Sequence, residues 1–216
     1  ERLLAEARLL VDLTHPNIVR VYDANVTTEV GQPLAFVTME LSPRGTLSDW
    51  IATSTRLSLP TALEVAVQIA QAVAFTHLLD PPLIHLDIKP SNVLVFAKAD
   101  AARIKVSDYG LAATLDAQTR LCSSGGTLAF APPEMAFGIA DERSDVYSIG
   151  VTLYRSFTGR YPITGSSLAE VADHHRHALP KPPPGLPEGL SRIILKLLAK
   201  YPQHRYQSAE EVSAAL

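Results

Sequence analysis

Four polar side chains, Asp87, Lys89, Asn92 and Asp108, stand at spacings that suit the movement of a phosphoryl group. The run His85-Leu86-Asp87-Ile88-Lys89-Pro90-Ser91-Asn92-Val93 carries the D-x-x-x-x-N spacing of a phosphoryl-transfer loop, and Ser107-Asp108-Tyr109-Gly110 adds a D-[aromatic]-G turn downstream. Such transfer is mostly positioning and charge neutralisation. Asp87 is suited to accept or orient the proton of an attacking hydroxyl, a role worth roughly 10²- to 10⁴-fold in rate. Asp108 and Asn92 offer the hard oxygen atoms that magnesium prefers when it bridges phosphates. Lys89, two residues past Asp87, can reach the transferring phosphoryl group as a point charge. Taken singly, each residue also reads as an ordinary cap or loop residue. The joint spacing argues for chemistry.

The elements that must position these groups follow from pattern. Residues 1–13 read as a helix, with Leu3, Ala7, Leu10 and Val11 near helical spacing, and Thr14-His15-Pro16-Asn17 ends it. Residues 18–22 and 34–39 read as two strands joined by a polar turn containing Gly31. A helix follows Pro60, with Leu63, Ala66, Val67, Ala70, Val73, Ala74 and His77 as its apolar face. The phosphoryl-transfer loop lies between Pro81-Pro82 and the strand-like 93–96, and 103–107 is a further short strand. Residues 111–130 are irregular, as functional or mobile loops are. Helices resume near Asp141, and Leu190, Ile193, Ile194, Leu197 and Leu198 form a late apolar stripe.

Bulk properties narrow the class. With 216 residues and 47% hydrophobic content the chain can bury one sizeable core. Net charge of -3 and the lack of a basic stripe give no reason to expect nucleic acid. The single Cys122 fits a reducing, cytoplasmic setting, and no long uninterrupted apolar run suggests a membrane segment. The opening at Glu1, inside a helical pattern, suggests a segment of a longer protein. His15 and His85 read as packing histidines, His174-His175-Arg176-His177 as a solvated helix end, and Pro180-Lys181-Pro182-Pro183-Pro184 as a stiff connection.

The motifs in this order resemble the eukaryotic-type (Hanks-type) serine/threonine protein kinases in a bacterial-like variety, with the chain opening at the helix that carries the family glutamate. The resemblance runs from that helix through His15-Pro16-Asn17, Gly45-Thr46-Leu47, the 85–93 loop, Asp108-Tyr109-Gly110, Gly126-Thr127 and Pro132-Pro133-Glu134 to Asp145 and Arg205. It implies an α+β, kinase-like bilobal fold: a partial small lobe over 1–41, a hinge linker over 42–46, and a helical large lobe over 47–216 with catalytic loop and activation segment. It implies catalytic roles for Asp87, Lys89, Asn92, Asp108 and Thr127, with Asn92 and Asp108 holding Mg2+. Met39 as gatekeeper, the Glu40 carbonyl, the Ser42 backbone, Leu94 and Glu6 would serve ATP. Leu10, His85 and Tyr109 would stack into a column between the lobes, and Glu134 would pair with Arg205. The implied reaction moves the γ-phosphoryl of ATP to a protein serine or threonine. A pseudokinase or ATP-binding scaffold, and a small-molecule phosphotransferase of related fold, are the alternatives; Gly126-Thr127 and Pro132-Pro133-Glu134 favour a protein substrate.

The chain also departs from the family. No glycine-rich loop or V-A-I-K strand is present, so both are expected upstream of Glu1 and the 216 residues alone are expected to be inactive. Leu86 replaces the arginine that usually receives a loop phosphate, so activity is expected not to depend on phosphorylation of Thr119, Ser123 or Ser124. Tyr109 replaces the usual phenylalanine and brings a hydroxyl that needs a partner if buried.

Overall fold

Strands β1 (Val21–Glu29) and β2 (Gln32–Met39) pair antiparallel, with Asn25 opposite Phe36 and Val26 opposite Ala35. The computed structural model describes residues 10–29, 32–98, 101–109 and 128–216. The first strand therefore starts later and runs further than the sequence pattern suggested. Its β-branched Val26, Thr27 and Thr28 extend the pairing through what reads as a polar turn. Ile18 and Val19 turn elsewhere: Ile18 bridges Val106 in parallel, and the Val19 N–H donates to the Val106 carbonyl at 2.9 Å. Of the expected first helix, Leu10 and Val11 are described and helical. Glu6 and Thr127 lie outside the described residues.

Helix α1 (Leu47–Ser54) was not anticipated, although its signal was present. Thr46 accepts from the Asp49 N–H while the Asp49 carboxylate accepts from the Thr46 N–H, a reciprocal capping box. Helix α2 (Leu59–His77) starts at the Ser58 cap with Pro60 in its first turn. It has the length and apolar composition to cross a bilayer, but it is the central core helix, burying Val65, Ala66, Ile69, Ala70 and Val73. Leu63, Val67 and Ala74, expected on its inner face, are only half-buried, because neighbours wrap around Ala62, Val65, Ile69 and Ala72 as well.

Strands β3 (Val93–Ala97) and β4 (Arg103–Val106) form a hairpin that buries Val93, Val95, Ile104 and Val106. Helix α3 (Glu142–Thr158) is buried nearly all round. Gly150 lets the next layer approach: a Cβ there would lie 2.7 Å from Leu197 Cβ. That layer is α5 (Glu188–Leu197), preceded by α4 (Leu168–His177) and followed by α6 (Ala209–Ala215) against α2. The proline-rich stretch joins α4 to α5. The α4 terminus corrects one expectation: His175 is buried, and its Nδ1 lies 2.9 Å from the Tyr147 hydroxyl. Helix packing, which local sequence does not reveal, turned this histidine inward.

Candidate active site

The 85–93 loop is held from below by one carboxylate. Asp145, fully buried on α3, accepts from the His85 N–H and the Leu86 N–H, each at 2.8 Å, and from His77 Nε2 at 2.9 Å. One and two turns further along α3, Ser148 donates to the Phe130 carbonyl and Thr152 to the Ile88 carbonyl. Residues 145, 148 and 152 share one helix face, from which Asp145 and Thr152 reach the loop and Ser148 reaches Phe130. Sequence reasoning named Asp145 as a landmark but missed this work; the spacing of these polar residues was the signal.

The loop's own bonds set its shape. Leu86 takes a left-handed φ of 62°, which for a residue with a Cβ costs on the order of 1 kcal/mol or more and persists where neighbours fix it. Here Asp145 grips its N–H. His85 Nδ1 accepts from the Asp87 N–H at 3.2 Å, so Nε2 carries the proton and donates to the Ser107 carbonyl at 2.9 Å. Ser107 in turn donates from N–H and hydroxyl to the Asn92 carbonyl at 2.8 and 3.1 Å. The two motifs read from the sequence are thus bonded to one another.

Three of the expected site residues converge. Lys89 Nζ lies 2.7 Å from Asp87 Oδ2, and Asn92 Nδ2 donates to that same oxygen and to the Asp87 carbonyl, both at 2.9 Å. Asp87 Oδ1 is buried without a hydrogen-bond partner among the described residues. With Nδ2 committed, the Asn92 amide oxygen accepts one long bond of 3.4 Å from the Ser91 hydroxyl and keeps a second lone pair. Asp108 follows Ser107 with φ of 62°, and its half-buried carboxylate receives a long bond of 3.4 Å from the Ser107 hydroxyl. The hard-oxygen donors expected for magnesium are therefore present, one carboxylate and one amide oxygen, and fit a divalent cation by type.

Beside Asp108 lies an open, mostly apolar recess lined by Leu10, Val21, Val37, Met39, Val106 and Tyr109 among others. Tyr109 packs on His85 with ring centroids 4.5 Å apart, and Leu10 and Tyr109 both line the recess. The buried Tyr109 hydroxyl has no hydrogen-bond partner among the described residues; burial and the nearby Asp145 charge push its pKa up. At the linker, Glu40 uses its side chain more than expected: Oε1 accepts from the Arg20 N–H at 2.8 Å and pairs with Lys105. Burial alone would raise the Glu40 pKa; the Lys105 ammonium and Arg20 N–H outweigh it and hold the carboxyl below its ordinary range. Ser42 spends its hydroxyl on the Gly45 and Val95 carbonyls, and Leu94 sits half-buried opposite Lys105.

Residues 1–215 match the protein kinase domain. The chain belongs to the protein kinase family. It is 38% identical to serine/threonine-protein kinase PknB of Mycobacterium tuberculosis and 34% identical to serine/threonine-protein kinase PrkC of Bacillus subtilis. The matches take in 100% and 99% of this chain but 35% and 33% of those proteins, so the chain spans about a third of their length. A crystal structure of Rad53 1-466 in complex with AMP-PNP superposes with a TM-score of 0.81 at 25% identity, over 98% of this chain and 53% of that one. The kinase-like fold is thereby shared with a protein captured with a nucleotide analogue.

In this kinase domain the Glu134–Arg205 pair is fully formed. The guanidinium meets both carboxylate oxygens at 2.7 and 2.8 Å and gives its remaining N–H groups to the carbonyls of Ala199, Arg143 and Lys200. Glu134 also accepts from the Ser144 hydroxyl. All five guanidinium donors are used, the condition under which a buried ion pair is well compensated. It fixes the 3₁₀ turn Pro133–Phe137 to the helical lobe.

Proposed function

We propose that this kinase domain is the catalytic region of a serine/threonine protein kinase that moves the γ-phosphoryl of ATP, with Mg2+, to a protein hydroxyl. The observation that carries the reading is Asp87: one carboxylate oxygen is engaged by Lys89 and Asn92, and the other is buried and has no hydrogen-bond partner among the described residues. An empty acceptor beside an oriented one suits a substrate hydroxyl that must lose its proton.

In the reaction the hydroxyl donates to Asp87 Oδ1 and its oxygen attacks the γ-phosphorus. The bond from that phosphorus to the β,γ-bridging oxygen breaks, its electron pair leaves with ADP, and the hydroxyl proton passes to Asp87. Lys89 offsets negative charge on the transferring group. The Asn92 amide oxygen and the Asp108 carboxylate would hold Mg2+, which when bound neutralises phosphate charge. Met39, the Glu40 carbonyl, the Ser42 backbone and Leu94 would frame the purine, with Glu6 and Thr127 completing the set. Lobes of 1–41 and 47–216 about a 42–46 hinge belong to the same reading. So does a cytoplasmic place, supported by the single Cys122.

The test is transfer from radiolabelled ATP and Mg2+ by the full-length protein to peptides bearing serine, threonine or tyrosine. Label on serine or threonine is expected. ATP binding without transfer would make the domain a binding module instead, and label on small-molecule hydroxyls alone would move it to another class.

A further inference from the structure

Strand β4 carries two cations, Arg103 and Lys105, on the face turned away from the core. Ile104 and Val106 are buried, and alternation puts Lys105 on the opposite face, across from Leu94. The ammonium lies 5.2 Å from the Phe96 ring centroid and pairs with Glu40 Oε1. Both side chains are mostly buried, at 23% and 19% exposure, so the pair is screened less than a surface one. Glu40 is held a second way, since its N–H donates to the Arg20 carbonyl at 2.9 Å while its carboxylate accepts from the Arg20 N–H. No bond to its carbonyl is present among the described residues. The Glu40 side chain and N–H are thus both fixed.

We infer that Lys105 is a positioning residue for the nucleotide: through Glu40 it sets the linker backbone that meets the purine edge, and it does so from the strand that leads directly into Asp108. Two residues, Val106 and Ser107, separate Lys105 from Asp108 on one chain segment. Purine-facing backbone and phosphate-side carboxylate are therefore indexed to the same strand. The Lys105 stem also flanks Leu94, the proposed floor of the purine. This inference rests on the proposed function, specifically on the 42–46 linker and the residues before it serving ATP.

The experiment uses the full-length protein with Lys105→Met, Lys105→Arg, Glu40→Gln and the Lys105→Met/Glu40→Gln double variant. Steady-state transfer is measured over a range of ATP, with thermal midpoints alongside. Lys105→Met should raise the KM for ATP about five- to tenfold with kcat within about twofold, the pattern of lost ground-state binding. Arginine should restore most of the affinity, since it keeps the charge. Glu40→Gln should match Lys105→Met, and the double variant should be no worse than either single. An unchanged KM, a rise in kcat at constant KM, or additive single effects would overturn the inference while leaving the proposed function intact. A wild-type protein without ATP-dependent transfer would overturn both.

Discussion

Two aspartates meet the same loop from opposite sides and do different things. Asp145, beneath it, is fully buried and its two oxygens accept three N–H groups, from His77, His85 and Leu86. Asp87, on the upper side, has one oxygen engaged by Lys89 and Asn92 and one buried oxygen with no hydrogen-bond partner among the described residues. A carboxylate with both oxygens engaged by buried donors of the protein is a fixture. One that is half used and half open is a reagent, because an uncompensated buried acceptor is favourable only when something arrives to fill it. The contrast also explains Leu86. A left-handed residue between the two aspartates turns the chain so that its N–H points down to Asp145 while Asp87 points up.

The comparison can be broken in steps. Asp145→Ala should orphan three donors at once and destabilise the domain by about 3–5 kcal/mol, with activity falling only because the loop is no longer held. Chemical denaturation would check it, and a loss below about 1 kcal/mol would show the loop is held elsewhere. His175 should give a pH-dependent effect. Burial and the adjacent Lys200 charge bring it down to about 4. The unfolded chain then binds a proton that the folded chain refuses between about pH 6.5 and 4, so stability falls on acidification through that window, by about 2–3 kcal/mol. Replacing His175 with glutamine should flatten the slope measured from pH 7 to 4; an unaltered slope would assign it to other groups. The smallest effect sharpens the contrast from the other side. Tyr109→Phe removes a buried hydroxyl that has no hydrogen-bond partner among the described residues, and should raise stability by about 1 kcal/mol. A loss instead would reveal a bond from that hydroxyl, to Thr76 or to water.

The reach of the sequence follows distance along the chain. Asp87, Lys89 and Asn92 were legible because their spacing is local and the loop that presents them is short. The Glu134–Arg205 pair and the His85–Tyr109 contact came with the family resemblance. The Asp145 bonds were hidden because they join a helix to a loop far away in sequence, though residues 145, 148 and 152 on one helix face were a usable hint. Glu40 and Lys105 were hidden for the same reason: hinge roles were read as main-chain, and a side-chain pair between a linker and a strand has no local signature. His175 was misplaced because a run of histidines at a helix end looks solvated until another helix covers it. Strand β1 was cut short because Asn25, Thr27 and Thr28 look turn-like until β2 supplies partners.

The most direct measurement replaces Asp87 by asparagine in the full-length protein and follows both nucleotide affinity and single-turnover transfer to a serine or threonine peptide. Asparagine keeps the shape but no longer takes up a proton. Affinity for ATP should stay within about threefold while transfer falls by roughly 10²- to 10⁴-fold, with the thermal midpoint little changed. Transfer retained at the wild-type rate, or affinity lost to the same degree as rate, would contradict the assignment of Asp87 as the group that receives the hydroxyl proton.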